Sequence, residues 1–213
     1  MKSTLLQLIV LMAGGASALS QGSIYFGNQF TGALAERVYG VVPEAPTMAH
    51  IWPPVCDPGP CWPTPVPPPL LSGTGYTASL WARPLGSSEP YGFVASSAFR
   101  TGLAAGFWVT SMVTVPGILP GQQADFVVRA WDNQGGQITA WAQVMANPSI
   151  PHGESWAFAS APLGGVVGGD IFTTPSTLGF RSFNLFVPEP STIVLGAVGA
   201  GLLLFVLRKR TGT

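Results

Sequence analysis

The chain has 213 residues, nine basic and nine acidic, so its formal net charge is zero and charged side chains are only 8% of the whole. From Gln21 to Val187 five arginines (Arg37, Arg83, Arg100, Arg129, Arg181) stand against eight carboxylates (Glu36, Glu44, Asp57, Glu89, Asp125, Asp132, Glu154, Asp170) with no lysine, a net −3. A domain of that charge has no footprint for phosphate backbones, which excludes nucleic acid as a partner; 27 glycines and 21 prolines in a chain that is 47% hydrophobic point to a turn-rich β domain rather than charge-driven disorder.

Residues 1–20 read as a signal peptide. Lys2 is the only charge, an apolar run follows, and Ala16-Ser17-Ala18 and Ala18-Leu19-Ser20 both offer small side chains to signal peptidase. The mature chain is expected to begin at Leu19 or Gln21.

Residues 21–186 are expected to form one β-rich extracellular domain, because a segment of this size supports one real core and is too short for two comfortable ones. Short β-branched and aromatic runs between Gly, Pro, Asn and Ser clusters predict strands at 23–26, 37–42, 76–82, 98–100, 107–113, 125–131, 137–144, 155–159 and 180–187. Alternation sets Phe126, Val128 and Ala130 on one face against Val127, Arg129 and Trp131, and Phe183, Leu185 and Val187 against Ser182, Asn184 and Phe186. Asp132-Asn133-Gln134-Gly135-Gly136 predicts a turn that pairs 125–131 with 137–144 as a hairpin. No interior window sustains a helical apolar period, so helices are expected only in the two terminal segments. The expected class is all-β, an antiparallel β-sandwich-like ectodomain with an N-terminal signal helix and a C-terminal transmembrane helix.

Residues 43–69 interrupt this pattern as a proline-rich loop with a polyproline bias. Within it Cys56 and Cys61 enclose Asp57-Pro58-Gly59-Pro60, a sequence built to turn, and a disulfide between them is expected in an oxidising compartment. So small a ring adds at most about 2 kcal/mol and would stiffen the loop rather than hold the domain together. Trp52 and Trp62 sit among the prolines, where they can stack on sugar faces or pack against the proline rings.

Catalytic and metal chemistry find little support. There is no Gly-x-Ser-x-Gly elbow, and the two histidines, His50 in the proline-rich loop and His152 in an expected solvated turn, have no nucleophile paired with them. His50, Cys56, Asp57 and Cys61 make a poor zinc set, and Asp132-Asn133 lacks the pattern of a calcium loop. No particular carboxylate pair stands out for glycoside hydrolysis. Neither a metal, a cofactor nor a catalytic residue is assigned. Trp81, Trp131, Trp141 and Trp156 fall in predicted strands and read as core or sheet surface.

Residues 187–213 close the chain with Val187-Pro188-Glu189-Pro190, an uncharged apolar run at 192–207 and the basic tail 208–213 opening with Arg208-Lys209-Arg210. The run just suffices to span a bilayer, and the basic triplet after it places the C-terminus in the cytoplasm and everything before it outside. The prolines disfavour helix at Val187 and Glu189 and keep the motif extended.

Motif, span and basic stop in that order resemble the PEP-CTERM sorting signal of Gram-negative bacteria, with Pro188, Glu189 and Pro190 matching its motif. The resemblance implies that the chain is the substrate of an exosortase, held in the inner membrane as a precursor and then released to the cell surface or beyond. Gly22-Ser23-Ile24-Tyr25-Phe26-Gly27-Asn28, Tyr76-Thr77-Ala78-Ser79-Leu80-Trp81 and Arg129-Ala130-Trp131-Asp132 also resemble a recurrent ectodomain of such proteins, with no activity attached. Three functions follow: a non-catalytic envelope or extracellular-matrix protein, a binding module for exopolysaccharide with Trp52 and Trp62 as its platform, or a secreted hydrolase.

Overall fold

In a computed structural model, residues 21–41 and 69–188 are described in full, and between them the backbone of residues 55–56 and 59–60. The predicted signal segment, the predicted span and its basic tail lie outside the described residues.

In chain order the strands are β1 (Ser23–Phe26), β2 (Gln29–Phe30), β3 (Leu34–Ala35), β4 (Val38–Tyr39), β5 (Val55–Cys56), β6 (Gly59–Pro60), β7 (Tyr76–Pro84), β8 (Gly92–Ala98), β9 (Ser111–Thr114) and β10 (Ala124–Asp132). A short helix α1 (Trp141–Ala146) follows, and then β11 (His152–Glu154), β12 (Phe158–Ala159), β13 (Gly165–Val167), β14 (Asp170–Phe172) and β15 (Phe183–Asn184). The main sheet is antiparallel and five-stranded, ordered β11-β10-β7-β8, with β12 continuing the β11 side of β10. β10 pairs with β7 from Ala124 opposite Pro84 to Asp132 opposite Tyr76.

Period-2 alternation gives this sheet its two faces. Ala78, Leu80 and Ala82 of β7 and Ala124, Phe126, Val128 and Ala130 of β10 point inward. There they meet Ile24 and Phe26 of β1, Leu34 of β3, Val38 of β4 and Phe183 of β15 in one core. This second layer consists of short pairs: β1 with β9, β2 with β3, and β4 with β15. Trp108 stands at the centre of the core, its ring 5.0 Å from Phe26, 5.3 Å from Phe180 and 6.1 Å from Phe99. Each such ring taken from water contributes roughly 1.5–3 kcal/mol.

Two serines mend the broken edge of the sheet. Between β11 and β12 the Ser155 N–H donates to the Val128 carbonyl at 2.8 Å, and its hydroxyl accepts the Val128 N–H at 3.0 Å. Ser160 repeats this at the end of β10, donating to the Ala124 carbonyl at 2.9 Å and accepting the Ala124 N–H at 3.0 Å. The two hydroxyls thus supply acceptors to the Val128 and Ala124 amides, which would otherwise be buried without them.

The predicted strands at 23–26, 76–82 and 125–131 are present as β1, β7 and β10. The hairpin of 125–131 with 137–144 is not: β10 pairs with β7, β11 and β12, and residues 141–146 are helical. The turn at 132–136 does form, with positive φ at Gln134, Gly135 and Gly136, but it delivers the chain into α1. Gln143 decides this, because its Oε1 accepts the N–H groups of Thr139 at 2.9 Å and Ala140 at 3.0 Å and satisfies donors that a helix start leaves open. Ile138, Trp141 and Val144, spaced by three, then face the sheet together. An interior helix therefore corrects the expectation that helices lie only at the ends.

Three further corrections concern the edges. β8 starts at Gly92, well before the predicted 98–100, because β7 offers it a full ladder partner. β15 runs parallel to β4, so the strands are not all antiparallel. The alternation of 182–187 does not separate core from solvent, since Ser182, Phe183, Asn184 and Leu185 are all buried where the segment lies between β4 and β11.

Ser155→Ala should destabilise the domain by about 1–3 kcal/mol, because the Val128 N–H stays buried without its acceptor. Urea unfolding of the full chain in detergent measures it; an unchanged midpoint would mean that the edge closes up without the hydroxyl.

Candidate functional site

Two features stand apart from the core: the corner where the domain ends, and an aromatic cleft on the outer face of the main sheet. The corner is built by β15. Leu185 donates to the Tyr39 carbonyl at 2.9 Å, and Phe186 exchanges both backbone bonds with His152, at 2.8 and 3.0 Å. The Phe186 ring lies 5.0 Å from the imidazole of His152. Gly153 lets the edge come this close, since a Cβ there would stand 2.5 Å from the Asn184 carbonyl. Phe186 is thus held two positions before Pro188, the last described residue.

His152 is not the solvated turn residue expected from sequence. It sits in β11 at 6% exposure, its Nδ1 is 2.7 Å from the Ile150 carbonyl, and its ring also meets Trp141 at 5.5 Å.

The proline-rich segment leaves and rejoins the domain beside the same corner. Tyr39, on the strand that pairs with β15, bridges to Leu70, and Gly40 just after it donates to the Pro69 carbonyl at 2.6 Å. Inside it, β5 and β6 pair antiparallel, Val55 with Pro60 and Cys56 with Gly59. Trp52, Trp62 and the expected Cys56–Cys61 disulfide lie outside the described side chains, as do Glu189, Pro190, Arg208, Lys209 and Arg210. Burial raises the Tyr39 phenol above its ordinary value of 10.0; Arg37 opposes this and Glu36 adds to it. The stability tied to the neutral phenol is therefore present below about pH 10 and lost as pH rises through the folded value.

The cleft lies between α1 and the outward face of β7, β8 and β10, with a volume of about 240 Å³. Trp81, Phe93, Trp131, Thr139, Ala140 and Trp141 line it. Trp81 and Phe93 meet edge to face at 5.6 Å, and Trp131 and Trp141 lie 5.9 Å apart. Between the two halves stands Arg129, its guanidinium 4.5 Å over Trp81 and 5.0 Å over Trp141, with Nε donating to Glu154 Oε2. The indole N–H groups are fixed in turn: Trp81 Nε1 donates to Ser79 Oγ at 2.9 Å and Trp131 Nε1 to the Ile138 carbonyl at 3.0 Å.

Of the four tryptophans expected in strands as core or sheet surface, Trp81 and Trp131 are in β7 and β10, whereas Trp141 opens α1 and Trp156 lies between β11 and β12. Trp131 is 2% exposed and packs with Val144 and Ile150, whereas Trp81 and Trp141 are half-buried and Trp156 is 61% exposed. The signal was present in β7, where Trp81 shares the phase of Ser79 and Arg83 rather than that of Ala78, Leu80 and Ala82. What the sequence did not disclose was α1, which closes the cleft.

Among the described residues, no three His, Cys, Asp or Glu side chains converge as a metal site, and no helix is long and apolar enough to cross a membrane. Glu36 accepts from the Ser182 hydroxyl at 2.6 Å and lies 3.6 Å from Arg181, Asp125 lies 3.5 Å from Arg83, and Glu154 holds Arg129.

An all-β domain that closes on Phe186 and runs straight into Pro188 has the build of a folded cargo on a C-terminal address. Residues 186–210 match the PEP-CTERM protein-sorting motif. No curated protein and no solved structure matches the chain. The motif implies export and exosortase processing at the cell envelope.

Arg129→Leu should cost about 2 kcal/mol, since both indoles lose the cation between them and Glu154 loses its partner. The loss is read by urea unfolding together with a red shift of tryptophan emission. Unchanged emission would mean that the rings do not depend on the guanidinium.

Proposed function

We propose that the chain is a non-catalytic protein of the cell envelope or extracellular matrix. It is exported through its signal peptide, held in the inner membrane by residues 192–207 with Arg208, Lys209 and Arg210 as the stop, and cut free by an exosortase that reads Pro188, Glu189 and Pro190. The single observation behind this reading is that the sorting-motif match begins at Phe186, the residue on which the domain closes. A non-catalytic role draws support from Glu36, Asp125 and Glu154, each engaged with an arginine that ties neighbouring segments together. The second reading, a carbohydrate-binding module, draws on the tryptophan-lined cleft; Trp52 and Trp62, its platform as read from sequence, lie outside the described side chains.

Intact mass and cell fractionation in a host with and without the exosortase test the first reading. The wild-type protein should lose both ends only when the enzyme is present, and Glu189→Ala should stay in the inner membrane at its full C-terminal length. Release of Glu189→Ala at the wild-type level, or a full-length C-terminus in both hosts, would overturn it.

A further inference from the structure

The outer face of the main sheet is a place where a β domain usually shows polar side chains to water. Here it carries Trp81, Phe93, Trp131 and Trp141 around one cleft, and Phe93 is 52% exposed although it could have been buried or polar at no cost to the core. We propose that this cleft is a binding site for a single pyranose ring of a neutral glycan.

Four observations select that ligand. The cleft, at about 240 Å³, is below the usual range for drug-sized molecules and suits one ring. Its half-buried Trp81 wall is fixed in advance by the Ser79 hydrogen bond and rests beside Trp131, buried and held by the Ile138 carbonyl, so the C–H face of a sugar meets a rigid surface with little ordering cost. Two polar groups adjoin its walls: Trp141 Nε1 makes no hydrogen bond among the described residues, and Glu154, its side chain 41% exposed, pairs through Oε2 with the Arg129 that stacks on Trp81 and Trp141. A hydroxyl can accept from the first and another can donate to the second.

Charge then narrows the class. Aromatic cages also bind quaternary ammonium ions. In this one the cation position is already filled by the Arg129 guanidinium, which repels a second positive group. Glu154 cancels the arginine, so the cleft offers no net positive charge to an anionic polymer, and the domain as a whole is net −3. A neutral ring is what remains. The proposal deepens the carbohydrate-binding reading and rests on export only for where the ligand is met.

The test uses the full chain in detergent micelles on an array of neutral and polyanionic glycans, with three variants. Phe93→Ser removes an exposed ring and leaves the Arg129 stack intact; Trp141→Ala removes the wall and the free donor; Trp52→Ala with Trp62→Ala removes the proline-rich platform. Circular dichroism and the urea midpoint identify any variant that fails to fold. Retention on neutral glycans should fall at least about tenfold for Phe93→Ser and for Trp141→Ala, about 1.4 kcal/mol of contact, and stay within about twofold for the double loop variant. No retention on any neutral glycan, stronger retention on polyanions, retention untouched by Phe93→Ser, or a loss confined to the loop variant would each overturn it. Release of the chain by the exosortase is read separately, so a sorted protein that binds no glycan defeats this inference alone.

Discussion

Strand β10 has to satisfy four demands at once, and most of the domain follows from how it does so. One edge is taken by β7 along its whole length, and the other by two short strands with a gap between them. Its inward side chains make the floor of the core, while its outward side chains hold Arg129 and Trp131. The gap is the costly part, because an unpaired buried amide loses about as much as a hydrogen bond contributes. Ser155 and Ser160 close it with side-chain oxygens, and the edge can therefore bend away from β10 without leaving amides exposed to the core. That bend frees β11 to approach β15, at Gly153.

The same strand explains why the aromatic residues separate into two populations. Inward phenylalanines need only shape, and Phe126 packs on Phe158 at 5.9 Å with no polar partner required, whereas Trp108 at the core's centre leaves its buried Nε1 without a hydrogen-bond partner among the described residues. Outward tryptophans carry an N–H that burial would orphan, and each buried or half-buried indole on this face except Trp141 gives its N–H to a neighbour. Arg129 joins the outward group for the opposite reason. A guanidinium cannot enter the core, but between two indole faces and a carboxylate it keeps its charge at 16% exposure. The helix α1 supplies the second indole, and without it Arg129 would lie on an open sheet.

Much of the inner architecture was legible in the sequence because alternation is a strong local code. Phe126, Val128 and Ala130 announce an inward face whatever their partners are, and Tyr76 to Trp81 announces a strand. Partner choice was not legible, since the turn at Asp132–Gly136 is compatible with a return strand or with a helix, and the deciding group, the Gln143 carboxamide, acts through a back-reach to Thr139 and Ala140 that no periodicity records. Burial of both faces at Ser182 to Leu185 was hidden for a related reason. Asn184 satisfies itself through the Leu185 carbonyl, at 2.9 Å, and so tolerates an interior place that its polarity argues against. The outer cleft needed the helix to be known first.

The C-terminal address is tied to the fold by the chemistry of proline. A β edge invites its neighbour to keep pairing, and the exchange between Phe186 and His152 would ordinarily propagate along the chain. Pro188 has no N–H to donate, so it cannot extend as a donor the ladder that reaches Phe186. The matched sorting motif thus begins where the paired edge runs out of hydrogen-bond donors. A domain that closes so near its own signal gains a fixed junction. The last paired residue of that edge, Phe186 against His152, is also the first residue of the matched motif.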